Sequence, residues 1–169
     1  SSENGELDVA SFEANVAAHL AAGLQGIVVT GSTGEAALLD ANERAVLVEA
    51  TRRVTPRDKA VIVGTGAEST RTCLVQTREA ARRGADAVLV VAPHYYGPAM
   101  TTPALRAHYL RVADESPVPV ILYNIPKYMH FALAAELVAE LAAHENVIGI
   151  KDSSGNRELF AGYMQAQSP

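Results

Sequence analysis

The stretch AVLVVAPHYYG, residues 87–97, decides the fold. Its first five residues are apolar without alternation, so the segment has no solvent face. A strand with that pattern is buried on both sides, as in a parallel sheet covered by helices. The remainder changes at once to proline, histidine, two tyrosines and glycine, which is the composition of a loop at a strand end. Four more runs share the plan: GIVVT (26–30), AVIVG (60–64), VPVILY (118–123) and VIGIK (147–151).

Between the runs lie Ala-rich amphipathic segments with helix signals. DANERAVLVEATRRV (40–54) opens on Asp40 with Glu43 three residues on, an aspartate form of the capping box. ESTRTCLVQTREAARRG offers Ser69 or Thr70 as N-cap and Gly84 as stop. TTPALRAHYLRVADES and ALAAELVAELAAHEN continue the series, DVASFEANVAAHLAAG precedes the first strand, and LFAGYMQAQSP closes as a sixth helix. The order is α followed by repeated βα, which predicts an α/β fold with right-handed crossovers. Matching points in successive strands lie about 27–34 residues apart, against ~31 for each unit of a ~250-residue eightfold barrel. A doubly wound sheet shows the same alternation, so both architectures stand at this point.

Composition narrows the function classes. The 169 residues are 49% hydrophobic and 20% charged, with a net charge of −5, which leaves no basic footprint for nucleic acid. No apolar run nears the ~18 residues of a membrane span. The N-terminal SSENGELDVA lacks the basic-then-apolar pattern of a secretion signal. The one cysteine, Cys73, rules out an internal disulfide and reads as helix packing, and a reducing cytoplasm is the expected location. Histidines 19, 94, 108, 130 and 144 show no HxxxH or HxH spacing, so no metal site is expected.

Small and polar residues collect after each strand: GSTGE (31–35), TGAEST (65–70), APHYYG (92–97), Tyr123-Asn124 and Lys151-Asp152-Ser153-Ser154. In either architecture this rim is the face where βα loops converge on a ligand. Each element has a plainer reading. GSTGE alone is a turn whose glycines supply unusual backbone angles; it matches no nucleotide-binding loop. HYY alone is a packed aromatic pair, and Tyr123 alone a rim tyrosine. Lys151 is harder to explain as a surface residue, because it ends a fully apolar strand. An amine held at such a rim is a nucleophile toward a ketone, and the resulting imine is an electron sink for the adjacent C–C bond.

GSTGE, APHYYGP, LYNIP and GIKDSSG, in that order and spacing, resemble the dihydrodipicolinate synthase / N-acetylneuraminate lyase superfamily of class I aldolases. The resemblance runs from about Asn4 to the end. It implies a (β/α)8 barrel acting on pyruvate or a pyruvoyl-containing 2-oxo acid, without cofactor, in dimers paired into tetramers. By position, Lys151 matches the imine-forming lysine, and Tyr123 the tyrosine that moves protons and hydrogen-bonds substrate. Ser32 matches a member of the proton relay. Thr33, with the backbone at Gly31, matches the grip on the substrate carboxylate, and Ser153 is a further substrate-binding position. Tyr95 matches the relay tyrosine lent across a dimer interface, with Tyr96 the less favoured choice.

Two departures shape the expectation. Dihydrodipicolinate synthases carry an arginine two residues after the proline of YNIP; YNIPKYMHF has Tyr128 there, beside Lys127 and followed by Met129-His130. The expected activity is therefore of the 4-hydroxy-2-oxoglutarate or sugar-acid aldolase type, with condensation of pyruvate and aspartate semialdehyde as the alternative and a non-catalytic 2-oxo-acid-binding or assembly module as another. The second departure is extent. Residues 1–169 form one partial barrel domain, without the family's first strand, its last two βα units and its C-terminal helices. That predicts a shortened chain, one part of a longer chain, or one of two fragments that complete a barrel together.

Overall fold

The computed structural model describes residues 5–165, so Asn4 and the end of the last predicted helix, 166–169, lie outside the described residues. The elements run α1 (Val9–Ala21), β1 (Gly26–Val29), α2 (Ala41–Val54), β2 (Ala60–Gly64), α3 (Thr70–Arg82), β3 (Ala87–Val91), α4 (Thr102–Glu115), β4 (Val120–Asn124), α5 (Pro126–Met129), α6 (Ala135–Ala142), β5 (Val147–Asp152) and α7 (Arg157–Gln165). The caps behave as their chemistry requires. Asp40 and Glu43 form the reciprocal capping box of α2, and Ser69, not Thr70, accepts the Thr72 amide at the start of α3. Gly84 follows α3 at φ +97°, a conformation that costs any residue with a Cβ. The predicted β4 loses its first two residues because Pro119 has no N–H to add to the ladder.

The five strands form one parallel sheet in the order β1-β2-β3-β4-β5. Each new strand is added on the same side of the one before. A doubly wound sheet would reverse direction at a switch point; this one does not, and single winding is the barrel arrangement. Right-handed crossovers then place the helices on one face. There α1 packs on α2, α2 on α3, α3 on α4, α4 on α6 and α6 on α7. An arginine–glutamate pair bridges each of the first four contacts: Arg53–Glu13, Arg83–Glu49, Arg78–Glu115 and Arg106–Glu140. These pairs are solvated, worth roughly 0–1 kcal/mol each, and serve to align helices more than to stabilise them.

The core lies between sheet and helices, where Val61, Val63, Val88, Val90, Val120 and Leu122 are all buried. The opposite face carries Val28, Ile62, Leu89, Ile121 and Gly149, and among the described residues it is open at its β1 margin, where Val28 is 46% exposed. The continuous apolar runs of β1 and β5 predict burial on both faces. The structure covers only the helix side of these two outer strands.

The β4–β5 ladder shifts register between Val120 and Ile121, so that Val147 pairs with Val120 but Gly149 with Ile121. Ile148 is the extra residue of a bulge. By strict alternation from buried Val147, Lys151 would face the helices. The bulge flips the parity, and Lys151 pairs with Tyr123 on the open face instead.

Candidate active site

The site is built at the carboxyl ends of the strands, on the open face. Tyr123 ends the apolar part of β4, and the Lys151 ammonium lies 4.2 Å from the centre of its ring, a cation–π contact. From the β1 loop, the Ser32 hydroxyl donates to the Tyr123 oxygen at a long 3.5 Å. Burial raises the pKa of the Tyr123 phenol, but hydrogen bonding with Ser32, Ser153 and Lys151 and the lysine charge outweigh it, so the net shift is downward. Four of the residues singled out in the sequence, Ser32, Tyr123, Lys151 and Ser153, thus meet at one oxygen. Lys151 itself is exposed, although it ends an apolar strand.

The other three are placed differently. Gly31 lines the cleft beside Ser32 together with Thr30, Arg44, Gly64 and Tyr123. Thr33 is exposed one residue further along the loop. Tyr95 is 77% exposed and packs edge-on against Tyr96, with ring centres 5.0 Å apart, rather than joining Tyr123.

Backbone strain and a half-buried guanidinium shape the β1 loop. Thr30 sits at φ +52°, an outlier for a β-branched residue, and its hydroxyl donates to the Gly64 carbonyl at 2.9 Å. Gly64 is required there, since a Cβ would fall 2.1 Å from the Thr30 oxygen. Arg44 reaches up from α2 to donate to the Ala36 and Gly64 carbonyls, and burial lowers its pKa. It closes the GSTGE loop from below.

On the helix side of the same strand ends lies a polar network that the sequence reading did not assign. Asn124, fully buried, donates to Asp152 at 2.8 Å and accepts the Leu133 amide at 3.0 Å. Asp152 also accepts the Ser154 amide and hydroxyl, and Ser154 in turn accepts the Asn156 amide. The available signal was the pair of side-chain hydrogen-bonders placed immediately after Tyr123 and Lys151, where strand alternation turns them to the other face. A separate groove beside β5, lined by Val138, Ala142, Val147 and Ile148, offers no nucleophile. Among the described residues no cluster of His, Cys, Asp and Glu could hold a metal ion, and no helix is long and apolar enough to cross a membrane.

A profile of the dihydrodipicolinate synthetase family matches residues 2–167. The chain is 41% identical over 165 residues to the 4-hydroxy-tetrahydrodipicolinate synthase of Xanthomonas axonopodis pv. citri, covering 98% of this chain and 54% of that protein. It is 42% identical over 159 residues to a probable mitochondrial 4-hydroxy-2-oxoglutarate aldolase of Emericella nidulans, with 91% and 52% covered. Among solved structures, the dihydrodipicolinate synthase of Acinetobacter baumannii complexed with pyruvate superposes with a TM-score of 0.92 at 35% identity, over 97% of this chain and 56% of that one. The chain spans about half the length of the curated relatives it matches.

Proposed function

The chain belongs to the dihydrodipicolinate synthetase family, and we propose that it carries the imine-forming site of a class I aldolase acting on pyruvate or a pyruvoyl-containing 2-oxo acid. The observation that carries this reading is the Lys151 ammonium stacked on Tyr123, with Ser32 on the phenol oxygen. In cleavage, the neutral Lys151 amine adds to the ketone carbon, and protonation of the resulting carbinol hydroxyl with loss of water leaves the protonated imine, an iminium. Tyr123 takes the proton of the 4-hydroxyl as the C3–C4 bond breaks. The bonding electrons pass into the iminium to give an enamine, and an aldehyde leaves. Protonation and hydrolysis release pyruvate and the free amine. The lowered pKa of Tyr123 suits it to both directions of proton transfer, and Ser32 extends the relay. Gly31, Thr33 and Ser153 hold the substrate carboxylate.

Tyr128 favours a hydroxy-oxo-acid aldolase over condensation with aspartate semialdehyde. It is half exposed with the Lys127 ammonium 5.4 Å from its ring centre, where an arginine would grip a second carboxylate. A homodimer or homotetramer in the cytoplasm fits the exposed Tyr95–Tyr96 pair and the single buried cysteine, and residues 1–169 serve as one partial barrel domain. Borohydride reduction of the complete protein with pyruvate, followed by peptide mapping, tests the reading. An adduct on Lys151 is expected, and none there sinks it. Pyruvate release from 4-hydroxy-2-oxo acids, set against condensation with aspartate semialdehyde, decides between the two activities.

A further inference from the structure

The loop after β3 carries two large aromatic side chains with almost nothing beneath them. Tyr95 and Tyr96 are 77% and 68% exposed and chiefly touch each other. Ala92 and Pro93 before them are buried and Met100 beyond them packs on the core, so hydrophobic packing anchors the ends of this loop but not the two tyrosines. Its own bonds are local: the His94 ring meets the Ala92 carbonyl at 2.9 Å, and the Gly97–Ala99 turn closes on Tyr96 and Gly97. Among the described residues, the side chain from elsewhere that hydrogen-bonds the tyrosine segment is one carboxylate. Glu68, in the loop after β2, places one carboxylate oxygen 2.9 Å from both the His94 and the Tyr95 backbone amides, and its other oxygen 3.3 Å from the His94 Nδ1.

Two successive amides converging on one oxygen make a small anion nest, and bonds from amides to a carboxylate are of the stronger, charge-assisted kind. Glu68 is itself well anchored, since the next residue, Ser69, is the N-cap of α3. The carboxylate thus ties the backbone of Tyr95 to the rigid start of a helix one βα unit away. We infer that Glu68 is a positioning residue for Tyr95: it sets the backbone angle from which the phenol is presented. This rests on the reading above, in which Tyr95 serves the proton relay from an exposed position. Glu68 touches neither Lys151 nor Tyr123 and acts only through the loop.

The test uses the complete protein with Glu68→Ala, Glu68→Gln, Tyr95→Phe and the Glu68→Ala/Tyr95→Phe double variant. Two quantities are read: hydrogen exchange of the peptide spanning 92–97, and the single-turnover rate of pyruvate trapping on Lys151. Glu68→Ala is expected to lose protection at the His94 and Tyr95 amides and to slow trapping about 10-fold, as a displaced positioning group does. Glu68→Gln keeps an oxygen for both amides and should retain protection and a rate within about threefold of wild type. The double variant should be no slower than Tyr95→Phe alone, because both changes remove one function. Unchanged exchange in Glu68→Ala, or rate losses that multiply in the double variant, overturns the inference while leaving the aldolase reading intact. A wild-type protein that forms no Lys151 adduct overturns the aldolase reading and the relay role with it.

Discussion

The ends of β4 and β5 carry two neighbouring residue pairs with opposite fates. Tyr123 and Lys151 face the open side; Asn124 and Asp152, one residue later on each strand, face the helices. The open-side pair is held loosely, with Ser32 at a long 3.5 Å from the phenol oxygen, Ser153 and Lys151 beside it, and the ammonium resting on the ring. The helix-side pair is saturated, tied to each other, to Leu133 and to Ser154. One step along a strand therefore separates groups whose hydrogen-bonding capacity is spent on architecture from groups whose capacity is free for a substrate. The stability of the strand ends comes from one side and the proposed reactivity from the other.

That division can be broken from either side. The largest effect is expected from Lys151→Ala: the borohydride adduct and turnover disappear, while the unfolding free energy from urea titration stays within about 0.5 kcal/mol of wild type, as for an exposed side chain. Tyr123→Phe should follow, slowing trapping by about 10²–10⁴ with little cost in stability, because the ring keeps its packing and only the proton carrier is lost. On the helix side the signs exchange. Asn124→Ala leaves the Leu133 amide and Asp152 without their partner and should destabilise by about 3 kcal/mol in urea unfolding. The molecules that remain folded should still form the adduct.

A smaller effect comes from deeper in the helix layer. His108 of α4 is buried, with its Nδ1 2.9 Å from the Thr70 hydroxyl, and burial lowers its pKa from the usual 6.5 to about 4 despite the nearby Glu68. Because protonation is penalised in the folded state, the contribution of neutral His108 is complete above pH ~6.5 and is lost as pH falls toward 4. Stability should drop by about 2 kcal/mol between pH 7 and pH 5, and His108→Gln should flatten that slope in denaturant titrations. A slope unchanged in His108→Gln would assign the pH dependence to other groups.

Much of this was legible in the chain because the signals were local. Continuous apolar runs marked the strands, Asp40 and Glu43 marked a helix start, and polar residues after each strand marked the rim. What stayed hidden depended on register or distance. Alternation along VIGIK turns Lys151 toward the helices, and only the Ile148 bulge, a property of the pairing with β4, brings it round to Tyr123. The four-residue α5 is too short to show a period. Glu68 meets the His94 amide across 26 residues, and nothing in the spacing announces that a surface carboxylate has a backbone as its partner. Thr30 is stranger still, a β-branched residue where glycine is usual, held by the hydroxyl that makes it tolerable.

The unbroken strand order also bears on how the chain reaches this state. Every strand pairs with the strand before it in sequence, and every helix–helix bridge joins neighbours. Assembly can then proceed by accretion, each βα unit finding its template already in place, with no closure across the whole length needed before contacts repay it. Lys151 on β5 is then set by its pairing with Tyr123 of β4, so its placement follows that of the strand before it.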